Sequence, residues 1–314
     1  MAAAAALLLS ACGGGVDSAA GRAGQETRRD SGGMRTVTTM LGPVTVPTKL
    51  DSVVVIEGRR NLDIALSLGL PVTGIPALQP GEMDLEAPLP EELTAGLDEI
   101  FLRGQVNVEA IAAATPDLIL SRYSDVEPIR AELEAIAPVL VVGDQETSTW
   151  QDDLRLVTKA TGRDDRATEL IAAYDKRVAA LTKTYADVIA ANTFAPMNYD
   201  LESDATDTRA TRLLSTVMRD VGLRPSKAWA SAMAGDKAEF GPEQLKTGYG
   251  DADGLVALVS EPKAWAAVQA KPLYRQLPAV AGGNVVRSDR RTHEGAALTA
   301  DHALDVVERL LKTF

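Results

Sequence analysis

The chain has 314 residues, 46% of them apolar, and a formal net charge of −12 at pH 7. The apolar share is ample for sizeable cores, while the acidic balance argues against nucleic acid as a partner, because phosphate binding calls for a basic surface. A single cysteine excludes intrachain disulfides and multi-thiolate metal sites, and two histidines in all argue against a His-rich zinc or manganese centre.

Residues 1–12 read as a lipoprotein signal. The apolar run is about eight residues long, against the roughly 20 needed to cross a bilayer. It ends in Leu9-Ser10-Ala11-Cys12, small residues ahead of a thiol that can take up lipid. Residues 13–33 are Gly-, Ser- and Arg-rich, the composition of a flexible tether. No Lys or Arg precedes the apolar run, although a secretory signal starts with positive charge. A start codon further upstream would account for that.

The ordered part is predicted to open with a hairpin, Thr36 to Met40 and Val44 to Val46, turning at Gly42-Pro43. Val53 to Ile56 is an uninterrupted apolar run of the kind found in a doubly covered parallel strand. A helix follows with Asn61 as its cap and Leu62, Ala65, Leu66 and Leu68 on its apolar side, closed by Gly69. Val72 to Ile75 is a short strand, and Ala77 to Glu99 is read as mostly loop. Next come a short helix from Asn107 to Ala114, stopped by Pro116, a strand from Asp117 to Ser121, a helix from Val126 to Ile136 and a strand from Val139 to Val142. Such alternation implies a parallel α/β sheet.

Between Thr149 and Tyr185 no strand is expected. Asp152 to Ala160 is helical, Gly162 interrupts, and Asp164 to Lys183 resumes with Ala167, Leu170, Ile171, Tyr174, Val178 and Leu181 at helical spacing. A helix of about 20 residues spans roughly 30 Å, enough to bridge two lobes. The alternation then restarts with strands near Phe194–Met197, Leu255–Val259 and Val285–Arg287, a helix from Ala210 to Val221, and a closing helix from about Leu298 to Leu311. The expected fold is therefore two Rossmann-like α/β lobes, residues 34–148 and 186–314, joined through a helical segment, 149–185, with a ligand cleft between them.

A small pattern occurs in both halves. Asn107-Val108-Glu109-Ala110-Ile111 precedes Asp117-Leu118-Ile119-Leu120, and Gly241-Pro242-Glu243-Gln244-Leu245 precedes Asp253-Gly254-Leu255-Val256. Each has a cap, a Glu in the first turn, a short helix, and an Asp introducing a buried strand. A first-turn Glu is stabilised by the helix dipole by roughly 0.3–1 kcal/mol, so either Glu alone has an ordinary explanation. Matched across two lobes, they mark a pseudo-symmetric surface with one carboxylate on each side.

These segments resemble the iron-siderophore and cobalamin class of substrate-binding proteins for ABC importers, over nearly the whole chain after the tether. The resemblance rests on Gly42-Pro43-Val44-Thr45-Val46-Pro47, Val53 to Ile56, Asn107 to Ile111 followed by Thr115-Pro116-Asp117-Leu118-Ile119-Leu120, Thr161-Gly162-Arg163, Gly241-Pro242-Glu243, Leu277-Pro278-Ala279-Val280 and Gly283-Asn284-Val285-Val286. It implies two α/β lobes joined by one long helix, with ligand in the cleft and Glu109 and Glu243 meeting arginines of a permease dimer. It implies no catalysis. It also gives Cys12 a purpose, since anchoring raises the local concentration at the permease.

In open α/β sheets the ligand lies beyond the carboxyl ends of the strands. Those ends offer Glu57, Arg59 and Arg60 after the first strand, Arg122 and Tyr123 after Asp117–Ser121, Tyr199 after the Phe194 strand, and Asp289, Arg290, Arg291 and His293 after the last strand. Guanidinium groups fork onto carboxylate or catecholate oxygens, and aromatics stack on flat ligand faces. The resemblance adds Arg103 and Trp229, while Thr292 and His293 stand where hydroxamate-binding relatives carry an aromatic. His302 is expected to be structural. The sequence thus points to a monomeric, extracytoplasmic protein, lipid-anchored to the cell membrane, that carries a ferric siderophore and needs no cofactor or metal ligand of its own. Cobalamin or haem is the alternative cargo, with Tyr123, Tyr199 and His293 as candidate axial ligands for haem. A secreted α/β enzyme is the alternative of another class, although neither a Gly-x-Ser-x-Gly elbow nor a phosphate-binding loop is present.

Overall fold

A computed structural model of the chain describes residues 28–30, 33–82, 85–200 and 203–314. Cys12, the expected signal and most of the expected tether lie outside the described residues. The first three strands, β1 (Arg28–Asp30), β2 (Met34–Thr39) and β3 (Gly42–Pro47), form a small antiparallel sheet. β1 falls within the segment expected to be tether: Arg28 pairs with Thr36 and Asp30 with Met34. The β2–β3 hairpin turns at Met40 and Leu41, because Thr39 already pairs with Gly42, one step before the expected Gly-Pro turn. Gly42 has φ +102°, a region that side chains resist.

The N-terminal lobe is built on β4 (Val53–Val55), β5 (Val72–Ala77), β6 (Asp98–Leu102), β7 (Leu118–Arg122) and β8 (Val139–Val142). Their order is β6-β5-β4-β7-β8, and every pairing is parallel. All three valines of β4 are buried, as a doubly covered strand requires. β6 was expected to be loop; it is an edge strand whose Asp98 and Glu99 are exposed, so no buried alternation marks it. The helix expected over 126–136 is instead three short pieces, Tyr123–Val126, Glu127–Ile129 and Arg130–Glu134. Pro128, lacking an N–H, breaks the ladder there. Asn61 does not cap the first helix, Arg60–Ser67, but lies inside it. Glu57 takes the capping role, its Oε2 accepting the Asn61 N–H at 3.1 Å.

The C-terminal lobe contains β9 (Phe194–Asp200), β10 (Ala205–Asp207), β11 (Glu239–Phe240), β12 (Gly254–Leu258) and β13 (Val285–Ser288), in the order β11-β10-β9-β12-β13. β9, β12 and β13 run parallel, whereas β10 and β11 are antiparallel additions of three and two residues, too short to leave a sequence pattern.

Between the lobes, Thr149 caps helix Trp150–Thr161, its hydroxyl accepting the Asp152 N–H at 3.1 Å, and Gly162 at φ +78° ends it. Helix Asp164–Thr184 follows, 21 residues and thus about 32 Å long. It buries Ala167, Ile171, Tyr174 and Leu181. Tyr174 meets Trp150 edge-to-face at 5.2 Å and donates to Asp220 of the C-terminal lobe at 2.8 Å. The chain is therefore two α/β lobes bridged by one long helix. The closing helix, Ala297–Leu311, returns to the N-terminal lobe, where the buried Asp63 carboxylate accepts the N–H groups of Ala296, Leu298 and Thr299 and the Thr299 hydroxyl.

The repeat has a structural cause as well. Asp117 Oδ2 accepts the Asp51 and Ser52 N–H groups just ahead of β4, and Asp253 Oδ2 accepts the Thr193 N–H just ahead of β9. In each lobe this Asp ties the start of one parallel strand to its neighbour.

Candidate ligand cleft

The carboxyl ends of β4, β6, β7 and β13 converge between the lobes and bring four arginines with them. Arg59 follows β4, Arg103 follows β6, Arg122 ends β7, and Arg290 follows β13. The first three line a cavity of about 480 Å³ together with Ile56, Glu57, Gln79 and Asp125, within the range of small-molecule sites. Arg290 approaches from the opposite lobe.

Each guanidinium is held by a carboxylate, and two of those carboxylates cross between lobes. Glu294 of the C-terminal lobe pairs with Arg59 at 2.8 Å and lies 3.6 Å from Arg122. Glu82 of the N-terminal lobe pairs with Arg103 and, at 2.7 Å, with Arg290. Glu57 binds Arg59 Nε at 3.1 Å and Asp125 binds Arg122 Nε at 2.9 Å. The arginines also repel one another. Burial, then Arg290 and Arg59, bring the Arg103 guanidinium down to about 10, and burial followed by Arg59 lowers Arg290. Burial raises the Glu294 carboxyl, with the nearby Glu57 adding to the effect.

His293 joins this group, with Nδ1 3.4 Å from Arg59 and Nε2 against Arg212. Burial first, then Arg212, Arg59 and Arg290, push its pKa down to about 2. The ring is therefore neutral at physiological pH and offers an acceptor to an arginine. Arg212, Glu82 and Glu294 are absent from the sequence-based set. Arg212 immediately precedes helix Leu213–Asp220, which the sequence reading began at Ala210, so it was absorbed into the helix.

The other expected ligand contacts sit elsewhere. Trp229 is 1% exposed and part of the main core, and Tyr199 is 8% exposed in the C-terminal core, so packing occupies both rings. Arg60 is buried against Asp153 at 3.1 Å and the Ser148 carbonyl, and helps hold the lobes together by donating to the Gly295 carbonyl. It faces a second cavity of about 300 Å³, lined from both lobes, with Trp150, Thr211 and Met233. Arg291 pairs with Asp289 at 2.5 Å, which His302 also engages at 3.0 Å. Tyr123 is exposed and donates to Glu127 at 2.5 Å. Glu109 and Glu243 are both exposed in first turns, on opposite lobes. Among the described residues no three His, Cys, Asp or Glu side chains are placed to hold a metal ion.

Comparison with known proteins is consistent with this geometry. The family model described as Periplasmic binding protein matches residues 63–292. A probable siderophore-binding lipoprotein of Bacillus subtilis, YfiY, is 38% identical over 92 residues, a match spanning 29% of this chain and only 28% of that relative. The ferric enterobactin-binding periplasmic protein FepB of Escherichia coli is 27% identical over 220 residues, covering 67% of this chain and 68% of FepB. Among solved structures, Staphylococcus aureus SirA complexed with staphyloferrin B superposes with a TM-score of 0.70 at 21% identity, over 88% of this chain and 97% of SirA.

Proposed function

Since the chain belongs to the periplasmic binding protein family, we propose that it binds an anionic ferric siderophore outside the cytoplasmic membrane and delivers it to the permease of an ABC importer. The observation that carries this reading is the crowding of Arg59, Arg103, Arg122 and Arg290 around one cleft of an otherwise acidic protein. Mutually repelling guanidiniums gain most from a ligand that presents several negative oxygens, and their planar forks suit carboxylate and catecholate groups. Iron arrives already coordinated by its chelator, so the protein supplies charge and shape rather than metal ligands. The protein acts as a monomeric carrier without turnover. Its division is 34–148, 149–185 and 186–314, with Cys12 lipidated, the residues between it and β1 as the tether, and Glu109 and Glu243 docking the permease.

The names of the relatives support this cargo, YfiY being called siderophore-binding and FepB ferric enterobactin-binding. A haem reading is less favoured, because Tyr199 is buried and His293 is already engaged by arginines.

The test is a tryptophan-fluorescence titration of the soluble chain begun after Cys12. Ferric tris-catecholate, ferric citrate-type and ferric trihydroxamate chelates would be compared with haem and cobalamin. An anionic ferric chelate is expected to bind below the micromolar range, and Arg103→Ala to weaken it roughly tenfold. If no ferric chelate binds in that range, the ligand class is wrong.

A further inference from the structure

Glu82 ends the short turn Pro80–Glu82, between β5 and β6 at the rim of the cleft. Its Oε1 faces two guanidiniums from different lobes, Arg103 and Arg290, and its Oε2 accepts the Gln79 N–H at 3.2 Å. The Gln79 side-chain amide in turn donates to the Arg103 carbonyl. One carboxylate oxygen is thus placed where a negative oxygen of a cleft ligand would sit, touching both lobes at once.

We propose that Glu82 is an internal counter-ligand, which occupies Arg103 and Arg290 in the empty protein and is displaced by the anionic oxygens of the cargo. This rests on the reading of the cleft as a ferric-chelate site. Glu82 then sets a charge threshold: a chelate must offer Arg103 and Arg290 at least what the carboxylate gives them. A neutral chelate that breaks the Glu82 pairs leaves the half-buried Arg103 and the buried Arg290 without that counter-charge, a loss that its own contacts do not repair. An anionic chelate replaces one charge-assisted pair by another.

Glu294, the other carboxylate that crosses between lobes, is unsuited to this part. Its side chain is 4% exposed, against 15% for Glu82. The next residue, Gly295, is fixed by Arg60, so Glu294 belongs to the packed base of the cleft. Glu82 lies on the surface turn and is the one that an arriving ligand meets.

The experiment compares wild type with Glu82→Gln, which keeps the size of the side chain and removes its charge. Glu86→Gln serves as control: Glu86 also crosses between lobes, to Arg287 at 2.6 Å, but it touches neither Arg103 nor Arg290. Each protein is titrated with a trianionic ferric tris-catecholate and a neutral ferric trihydroxamate. Each is also melted in inorganic sulfate at constant ionic strength. Glu82→Gln is expected to bind both chelates roughly tenfold tighter, because neither then has to break the Glu82 pairs. Sulfate is expected to raise its melting temperature more than that of wild type or Glu86→Gln. Equal or weaker tris-catecholate binding by Glu82→Gln would overturn the proposal, as would a gain confined to the anionic chelate, which through-space repulsion alone would give, or the same gain in Glu86→Gln. Should no ferric chelate bind even wild type, the proposed cargo fails, and the sulfate arm alone still decides whether Glu82 screens an anion site.

Discussion

Replacing Asp63 by Ala tests how the cleft is held. Asp63 is fully buried in helix Arg60–Ser67 of the N-terminal lobe, yet its partners all belong to the start of the closing helix. Oδ2 accepts from Ala296 N at 2.9 Å, Thr299 N at 3.0 Å and the Thr299 hydroxyl at 2.6 Å, and Oδ1 accepts from Leu298 N at 3.0 Å. Asp63→Ala leaves the Leu298 and Thr299 N–H groups without that acceptor, at about 1 kcal/mol each, while the Ala296 N–H keeps the Thr299 hydroxyl at 3.0 Å. It also removes a negative charge from a helix N-terminus, worth roughly 0.3–1 kcal/mol. The expected loss is about 3 kcal/mol, a large part of the ~5–15 kcal/mol that domains typically have. Asp63→Asn keeps an acceptor and should cost less than half as much. Equilibrium denaturation in guanidinium chloride reads the stability, and hydrogen exchange reads the Ala296, Leu298 and Thr299 amides. These amides should exchange much faster in Asp63→Ala. A loss under about 1 kcal/mol with those amides still protected would refute the capping argument. Because Arg290, His293 and Glu294 directly precede this helix, the variant should also weaken ligand binding.

Three further outcomes follow. The pKa of His293 is about 2 in the folded protein against 6.5 for the free side chain. The unfolded chain therefore binds the extra proton, and stability present above pH 6.5 is lost as pH falls towards 2. Lowering the pH by two units below 6.5 removes up to about 2.7 kcal/mol through this residue. Thermal melts should show a flatter acid limb for His293→Gln, and an unchanged limb would contradict the burial of a neutral ring. Trp229→Phe, which removes a buried indole N–H with no partner among the described residues, should leave ligand affinity intact, whereas Trp229→Ala should cost about 3–5 kcal/mol in chemical denaturation. A drop in affinity for Trp229→Phe would return Trp229 to the cleft. The double variant Glu109→Arg with Glu243→Arg should abolish uptake of labelled ferric chelate by whole cells while equilibrium binding persists; undiminished uptake would rule out docking through these two carboxylates.

Long-range architecture was legible where burial follows a simple period. Ala167, Ile171, Tyr174 and Leu181 announce one buried stripe on a helix too long for a single small lobe, and Val53 to Val55 announce a strand covered on both faces. Arg59, Arg103, Arg122 and Arg290 could be proposed because strand ends and family resemblance place them at one rim. Their counter-charges were not legible. Glu82 meets Arg290 from 208 positions away, and the Glu294 carboxylate meets Arg59 across the lobes. No local pattern selects those two acids from the 44 in the chain. Trp229 and Tyr199 are hard to place for a related reason: an aromatic near a strand end serves core and cleft equally well in sequence, and here both rings are buried in the cores. β6 escaped because an exposed edge strand carries acids where a central strand carries valines.

The most direct measurement is the position of iron in a crystal of the protein with a ferric tris-catecholate, located by anomalous scattering at the iron edge. The proposed function predicts a single iron in the interlobe cleft, with chelate oxygens on Arg103 and Arg290, and the counter-ligand role of Glu82 predicts its carboxylate swung away from both. Iron bound in the second cavity, beside Met233 and Thr211, would contradict the proposed site, and a chelate seated with Glu82 still on its two arginines would contradict the counter-ligand role.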